Sequence, residues 1–152
     1  MTAVLSIPAR GEDVYLGSEV NAAVPRAYRY LAGALSTAGL NDLVITTAAT
    51  YELVNVPANF VVMEVLSRVI TAFTGSVTLT IGDAASAAGY LATADIAPQT
   101  AVTTGIYVNA TAGGEAYAKG KKYAAADTID IVLAAATAAV GQVEIIIIGF
   151  QL

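Results

Sequence analysis

Alternation of hydrophobic and polar residues marks the second half of the chain as β-structure. In residues 76–81 (SVTLTI) every second residue is apolar, and the Gly-Asp pair that follows is typical of a turn. Residues 128–133 (TIDIVL) alternate in the same way, which predicts that the isoleucines and the leucine face inward and Asp130 faces outward. Residues 142–152 (QVEIIIIGFQL) contain a run of consecutive isoleucines, which predicts a strand buried on both faces.

An apolar segment at residues 60–73 (FVVMEVLSRVITAF) fits two structures by spacing alone. As a helix it would carry one apolar stripe, with Glu64 and Arg68 as an i,i+4 ion pair. Six of its fourteen residues, however, are Val, Ile or Thr, and these branched side chains favour strands because they lose rotamer freedom in a helix. We therefore predict a long strand here.

Shorter β-rich runs complete the pattern, at residues 43–47, 51–56, 90–96 and 106–109. With them the chain has seven or eight predicted strands, separated by Gly, Asp and Asn turns, and no long helical pattern alternates with them. This arrangement predicts an all-β fold, an antiparallel β-sandwich or jelly roll, with closure into a barrel as the alternative.

The first 42 residues lack a sustained alternation and contain two of the four prolines, Pro8 and Pro25. They predict an irregular, extended N-terminal arm over residues 1–42, ordered by the surface it lies against. The sandwich body is then predicted to span residues 43–152.

One cluster within this arm is a candidate for partner binding. It consists of Arg26, Tyr28, Arg29 and Tyr30. Arginine and tyrosine are the residue types that anchor protein interfaces. Two interpretations stay open: the arm docks through these residues onto an acidic or polar partner, or it packs on its own sandwich and leaves the arginines in solvent.

Composition changes the picture because the chain is too apolar for an ordinary isolated domain. Of its 152 residues 57% are hydrophobic and only 12% are charged, against about 25% charged in typical domains. Part of the surface is therefore predicted to be covered, by a membrane or by an assembly. The best candidate span, residues 131–149, includes Gln142 and Glu144, and a carboxylate inside a bilayer costs about 3 kcal/mol. Residues 1–16 do not resemble a signal peptide, so we predict an assembly and no membrane partner.

The residue inventory excludes most catalytic chemistry. Without Cys or His there is no thiol nucleophile, zinc finger or Ser-His-Asp triad, and the net charge of −5 argues against binding to nucleic acid. Carboxylates at strand ends could gather around Ca²⁺, but aspartates in turns usually bond to their own backbone. The candidates are Asp83, Asp95, Asp127 and Asp130. The KGKK stretch at residues 119–122 lacks the spacing of a phosphate loop and predicts a solvated hairpin tip. We predict no catalytic residue, no cofactor and no metal.

Between Val61 and Phe150 the sequence resembles small virion structural proteins of tailed bacteriophages. The residues that carry the resemblance are VLSRVITAFTGSVTLTIGDAA, then GYLATADI, then KKYAAADTIDIVLAAATAAVGQVEIIIIGF. That family includes capsid decoration (cement) proteins with jelly-roll or sandwich folds, and head or tail accessory proteins. No catalytic residue comes with the resemblance, and residues 1–42 lie outside it.

The resemblance implies a non-enzymatic protein of the virion, made in the host cytoplasm and carried on the capsid surface. As a cement protein it would bind the major capsid protein, bridge capsid subunits and form a homo-oligomer, a trimer in preference to a dimer. The alternative is a carbohydrate- or receptor-binding module of a phage fibre or tail, in which tyrosines supply stacking surfaces. Those tyrosines are Tyr15, Tyr51, Tyr90, Tyr107, Tyr117 and Tyr123.

Overall fold

The structure, a computed structural model, describes residues 24–34, 42–100, 116–134 and 140–152. The described residues form nine strands and one short helix. In chain order these are β1 (Arg26–Gly33), β2 (Asp42–Val44), β3 (Ala49–Val56), β4 (Phe60–Thr71), β5 (Thr78–Asp83), β6 (Ser86–Leu91), α1 (Thr93–Ile96), β7 (Lys121–Lys122), β8 (Asp127–Ala134) and β9 (Gln142–Gln151).

The strands build two sheets that enclose one core. One is a five-stranded sheet in the order β2-β1-β9-β4-β7, and the other is a four-stranded sheet in the order β3-β8-β5-β6. Every pair is antiparallel except β1 with β2. Successive strands change sheet from β3 through β5, and again from β6 through β9, which is the winding of a jelly roll. The prediction of an all-β sandwich or jelly roll is confirmed.

The core lies between the sheets and is formed by every second residue of each strand, the one that points inward. In β5 and β8 the apolar faces predicted from the sequence are buried. In β9, Ile145 and Ile147 are buried in the core, whereas Ile146 and Ile148 stay half-buried on the outer side. Burying one such side chain fully stabilises the fold by about 1.5–3 kcal/mol. β9 therefore buries one face completely and the other only in part, short of the two-sided burial predicted.

The segment at residues 60–73 is a strand, as predicted, and its helix-like spacing has a structural cause. The register between β4 and β9 shifts at Met63 and again at Ile70. Each shift inserts one residue without a partner on β9 and interrupts the period of two. The first shift sets an interval of three between the buried Val62 and Val65. The interval of four from Val65 to Val69 arises because the inward residue between them is Ser67.

The prediction of an irregular arm over residues 1–42 is wrong for Arg26–Gly33. These residues form β1, which pairs along its whole length with β9, so the sandwich begins before residue 43. The stretch RAYRYLAG does alternate, with Tyr28 and Tyr30 facing the core. Pro25 before the strand and Gly33 at its end obscure that alternation, because Pro and Gly are typical of turns and loops.

One further predicted strand is only partly a strand, and two other predictions concern residues outside the described part of the chain. The run at residues 90–96 splits, because β6 ends at Leu91 and Thr93–Ile96 forms α1. The arm over residues 1–23 and the strand at residues 106–109 fall outside the described part of the chain. No helix within the described part is both long and apolar enough to cross a membrane.

Candidate interaction surfaces

Strand β1 places the four predicted interface residues on different sides of its sheet. Tyr28 and Tyr30 point between the sheets, and Tyr30 keeps only 1% of its surface exposed. Arg29 points outward with 59% of its side chain exposed, and Arg26 is half-buried at the start of the strand. The tyrosines therefore serve the core. A partner role for these residues stays a prediction, and of the four Arg29 offers a partner the most surface.

A buried carboxylate lies on the outer side of the five-stranded sheet. Glu144 of β9 is 1% exposed and forms ion pairs with Arg29 of β1 and Arg68 of β4. Arg68 stands directly opposite Glu144 in the register of β4 and β9, with 27% of its side chain exposed. Two guanidinium groups thus compensate one carboxylate that has lost its water. Removing one partner from such a buried pair typically costs about 3–5 kcal/mol.

Sequence reasoning did not single out Glu144 or Arg68 as a site. Glu144 stands beside the isoleucine run of β9, and a carboxylate in so apolar a stretch is a signal that a cation must meet it. The local sequence does not show which basic residue pairs with Glu144. Arg29 lies 115 residues away in sequence and reaches Glu144 only because β1 and β9 are neighbours in the sheet.

The outer surface around these arginines is apolar. Half-buried side chains point outward from its three inner strands; they are Leu31, Leu66, Ile146 and Ile148. Among the described residues, every exposed large hydrophobic side chain belongs to a strand of this sheet or lies next to the end of one. These are Val24, Val44, Met63, Ile70, Val140 and Leu152. We call this surface, together with Arg29 and Arg68, the five-strand face.

The outer surface of the four-stranded sheet, here called the four-strand face, is polar. Its outward residues are Thr50, Glu52, Thr78, Thr80, Asp130 and Val132. Strands β3, β5, β6 and β8 contain no Lys or Arg, whereas β1 and β4 contain arginines and β7 consists of two lysines. The two faces therefore differ in polarity and in charge.

Asp130 points outward from the four-strand face, as predicted, but its carboxylate is buried. It is 7% exposed. The start of β6 covers this part of the face: Gly82 stands opposite Asp130, and the carbonyl oxygen of Ser86 lies 1.9 Å from where a Cβ on Gly82 would be. Burial raises the pKa of Asp130 above its usual range, and the carboxylates of Glu52 and Asp127 raise it further.

A third buried carboxylate, Asp83 at the end of β5, ties the two sheets together. The ammonium group of Lys121 in β7 donates to it, and the hydroxyl groups of Tyr117 and Tyr123 donate at 3.0 Å each. Two backbone N–H groups of the β5–β6 turn also donate, at 3.0 and 3.1 Å. The turn role predicted for Asp83 is therefore present, joined by an ion pair that the sequence did not indicate. We call Asp83, Lys121, Tyr90, Tyr117 and Tyr123 the Asp83 cluster.

The protonation states within the Asp83 cluster suit a structural tie. Burial alone would raise the pKa of Asp83, but the donors, Lys121 foremost, hold it below its usual value. Burial would lower the pKa of Lys121, but Asp83 and Tyr117 keep it above its usual value. Burial raises the pKa of Tyr90 and Tyr123, whose hydroxyl oxygens are 2.9 Å apart. These shifts favour one ion pair between Asp83 and Lys121, beside protonated hydroxyls on Tyr90 and Tyr123.

The prediction of a solvated tip at residues 119–122 is wrong for Lys121. The chain turns at Gly120, where φ is +88° and the carbonyl oxygen of Val62 lies 2.6 Å from where a Cβ would be. Only glycine fits such a position without strain. The turn directs the Lys121 ammonium over two tyrosine rings of the Asp83 cluster, 4.3 and 4.4 Å from their centroids.

The remaining predicted carboxylates bond to nearby backbone. Asp95 accepts a hydrogen bond from the backbone N–H of Ala92 at 3.0 Å, at the start of α1. Asp127 accepts one from the backbone N–H of Thr128 at 2.9 Å. Within the described ranges, no group of three or more Asp or Glu side chains is placed to hold a metal ion.

The molecule is thus a jelly roll with one apolar, arginine-bearing outer face and one polar, acidic outer face. Solved structures with a similar fold come from phage capsids. A chain of the Cyanophage Pam1 capsid asymmetric unit aligns with a TM-score of 0.56 and 20% identity, covering 100% of this chain and 100% of that chain. A chain of the capsid of Ralstonia phage GP4 aligns with a TM-score of 0.51 and 16% identity, covering 97% of each. No protein-family model and no curated protein sequence matches this chain. At these identities the likeness establishes a shared fold.

Proposed function

We propose that this chain is a non-enzymatic structural protein of a tailed-phage virion. The observation that carries the proposal is the end-to-end match with a chain of the Pam1 capsid asymmetric unit. The GP4 capsid chain adds a second match over nearly the full length. The resemblance between Val61 and Phe150 points to the same class of protein on separate grounds, because it was drawn from sequence segments alone.

Within the virion, the proposed role is capsid decoration on the outer surface of the head. The chain would be made in the host cytoplasm, bind the major capsid protein and bridge neighbouring subunits, with copies of the chain meeting as trimers. A protein that binds only the assembled shell stabilises it by mass action. The exposed apolar side chains of the five-strand face suit this role, since exposed patches of that kind mark interaction sites.

A carbohydrate- or receptor-binding role is the second candidate, but three of its six tyrosines take part in the Asp83 cluster. Tyr90, Tyr117 and Tyr123 belong to the Asp83 cluster, where their hydroxyls and rings surround the ion pair. Tyr15 and Tyr107 lie outside the described residues. A stacking platform for a sugar would need several ring faces that are open to solvent.

Cosedimentation with capsids tests the proposal. The purified full chain is mixed with capsids of its own phage that have been stripped of it, the shells are pelleted, and bound copies are counted. We expect saturation at a fixed number of copies per shell, and decorated shells that survive higher temperature than bare ones. Shells that pellet without the chain, together with a positive glycan array, would replace the proposal with the second candidate.

A variant that lacks residues 1–23 tests the predicted arm separately. This cut keeps β1, whereas a deletion to residue 42 would remove the strand that pairs with β9. If the arm takes part in docking, the truncated chain binds shells at least tenfold more weakly while its thermal midpoint stays close to that of the full chain. Equal affinity would show that docking does not need the arm.

A further inference from the structure

We propose that the five-strand face is the surface that docks onto the capsid, and that it recognises a protein surface of apolar side chains flanked by carboxylates. This inference rests on the proposed virion role and adds which side of the molecule meets the shell. Three observations carry it: the distribution of apolar side chains, the size of the face and the distribution of charge.

The apolar side chains form a continuous centre on this face. Leu66 and Ile146 stand directly opposite each other in the register of β4 and β9, and both are half-buried and point outward. Ile148 extends the patch along β9, and Glu64 of β4 stands opposite it. On β1, Leu31 lies diagonally from Ile146, because it stands opposite Glu144. Apolar surface of this kind, bordered by charged groups, marks a site of protein association. The four-strand face has threonines at the corresponding places.

The face is large enough for a specific interface. Strand β9 has 10 residues, and at about 3.3 Å per residue it is about 33 Å long. Five strands spaced about 4.8 Å apart are about 20 Å across. Because β2 and β7 have only 3 and 2 residues, the plan area is roughly 550 Å². This is comparable with the lower end of the range of about 600–1,000 Å² that one partner of a specific protein interface contributes.

Charge selects which face an acidic partner meets. Arg29, Arg68 and Lys122 point outward on the five-strand face. They outnumber the two outward carboxylates of its inner strands, Glu64 and Glu144. The strands of the four-strand face contain no Lys or Arg. The chain as a whole carries a net charge of −5. A partner surface with carboxylates is therefore attracted to the five-strand face and repelled by Glu52 on the opposite side.

Arg29 is the side chain best placed to read such a partner. Its bond to Glu144 uses the Nε atom, which is one of several donors on a guanidinium group. With 59% of the side chain exposed, an incoming carboxylate has access to it. Arginine pairs with carboxylates through two parallel hydrogen bonds, which fixes orientation as well as affinity.

Two matched double variants test the assignment by shell cosedimentation. Ile146→Thr with Arg29→Gln removes one outward apolar side chain and one exposed charge from the five-strand face. Val132→Thr with Glu52→Gln makes the corresponding changes on the four-strand face, where Val132 is also half-buried on an inner strand. Threonine keeps a β-branched side chain in each strand, so both variants retain strand propensity. Thermal unfolding of each variant checks that the fold is intact.

We expect the first variant to bind shells at least tenfold more weakly than the unchanged chain, and the second to bind within twofold of it. Equal losses, or a loss confined to the second variant, would overturn the assignment of the face while the virion role stands. If native mass measurements without shells show that the first variant also loses self-association, a second copy occupies the face and the capsid assignment is wrong. If the unchanged chain does not bind shells at all, the failure lies with the proposed virion role.

Discussion

Glu144 and Asp130 occupy equivalent places in the two sheets and meet opposite neighbours. Each lies on an inner strand, points toward the outer side of its sheet and is almost completely buried. In the strand register, Glu144 stands opposite Arg68, whereas Asp130 stands opposite Glu52. A buried carboxylate on an inner strand therefore has a positively charged neighbour in one sheet and a negatively charged neighbour in the other.

The difference shows two ways in which a sheet accommodates a buried carboxylate. On the five-strand face the charge is kept, because two guanidinium groups replace the lost water. On the four-strand face no cation stands in the neighbouring strands, and burial together with nearby carboxylates favours the protonated form of Asp130. The five-strand face gains a fixed, charged centre, and the four-strand face gains a site whose stability depends on pH.

The largest effect is expected from breaking the compensated site. Arg68→Ala leaves Glu144 buried with Arg29 as its ion-pair partner, and we expect the free energy of unfolding to fall by about 3 kcal/mol at pH 7. Urea denaturation measures the loss, and Arg68→Lys, which keeps a positive charge, serves as the control with a smaller loss. A loss under about 1 kcal/mol would mean that Glu144 does not depend on Arg68.

The second-largest effect on stability is expected from giving Asp130 a positively charged neighbour, as Glu144 has. Glu52→Arg places a cation directly opposite Asp130, as Arg68 stands opposite Glu144. Replacing a like-charged cross-strand pair by an oppositely charged one should stabilise the protein by about 1.5 kcal/mol at pH 7. The pKa of Asp130, followed by NMR titration, should fall. An unchanged pKa would show that the two side chains do not sense each other.

Asp130→Asn should stabilise the protein at neutral pH by about 1 kcal/mol. The pKa of Asp130 is raised in the folded state, so its ionisation costs stability as pH rises through that value. Below the ordinary aspartate pKa the group is protonated in both states, and the gain should disappear. Unfolding curves at pH 7 and at pH 3 measure the difference. A gain that is equal at both pH values would have to come from packing and not from charge.

The smallest effect on stability is expected from Arg29→Gln. The side chain is 59% exposed, so solvent screens its pair with Glu144, and Arg68 keeps its own pair. We expect a loss of about 0.5 kcal/mol at pH 7. Comparison with Arg68→Ala in the same urea series separates the two arginines. Losses of equal size would show that Glu144 relies on both partners alike.

The sequence predicted the strands that alternate and missed the one whose alternation is disguised. SVTLTI and TIDIVL lie in β5 and β8 with the apolar residues inward, since a period of two is visible without knowledge of the partner strand. β1 was missed because Pro25 and Gly33 at its ends are typical of turns, and its pairing with β9 cannot be seen from the local sequence.

The partners of the buried carboxylates could not be predicted from the local sequence for a different reason. Spacing along the chain identifies neighbours on one strand, whereas the partners of Glu144 come from β1 and β4, and Lys121 comes to Asp83 across the sandwich. The outward direction of Asp130 was predicted, but its burial was not. The backbone of Ser86 that covers it is positioned by the turn after β5. Low overall charge did indicate that some surface would be covered, without showing which one.

The position of β9 has a consequence for how the chain is made. β9 lies between β1 and β4 in the sheet, yet it follows all the other described strands along the chain. Before β9 is synthesised, no described strand joins β1 to β4, and pairings between such distant segments form slowly. The middle of the five-stranded sheet is therefore the part that we expect to form last.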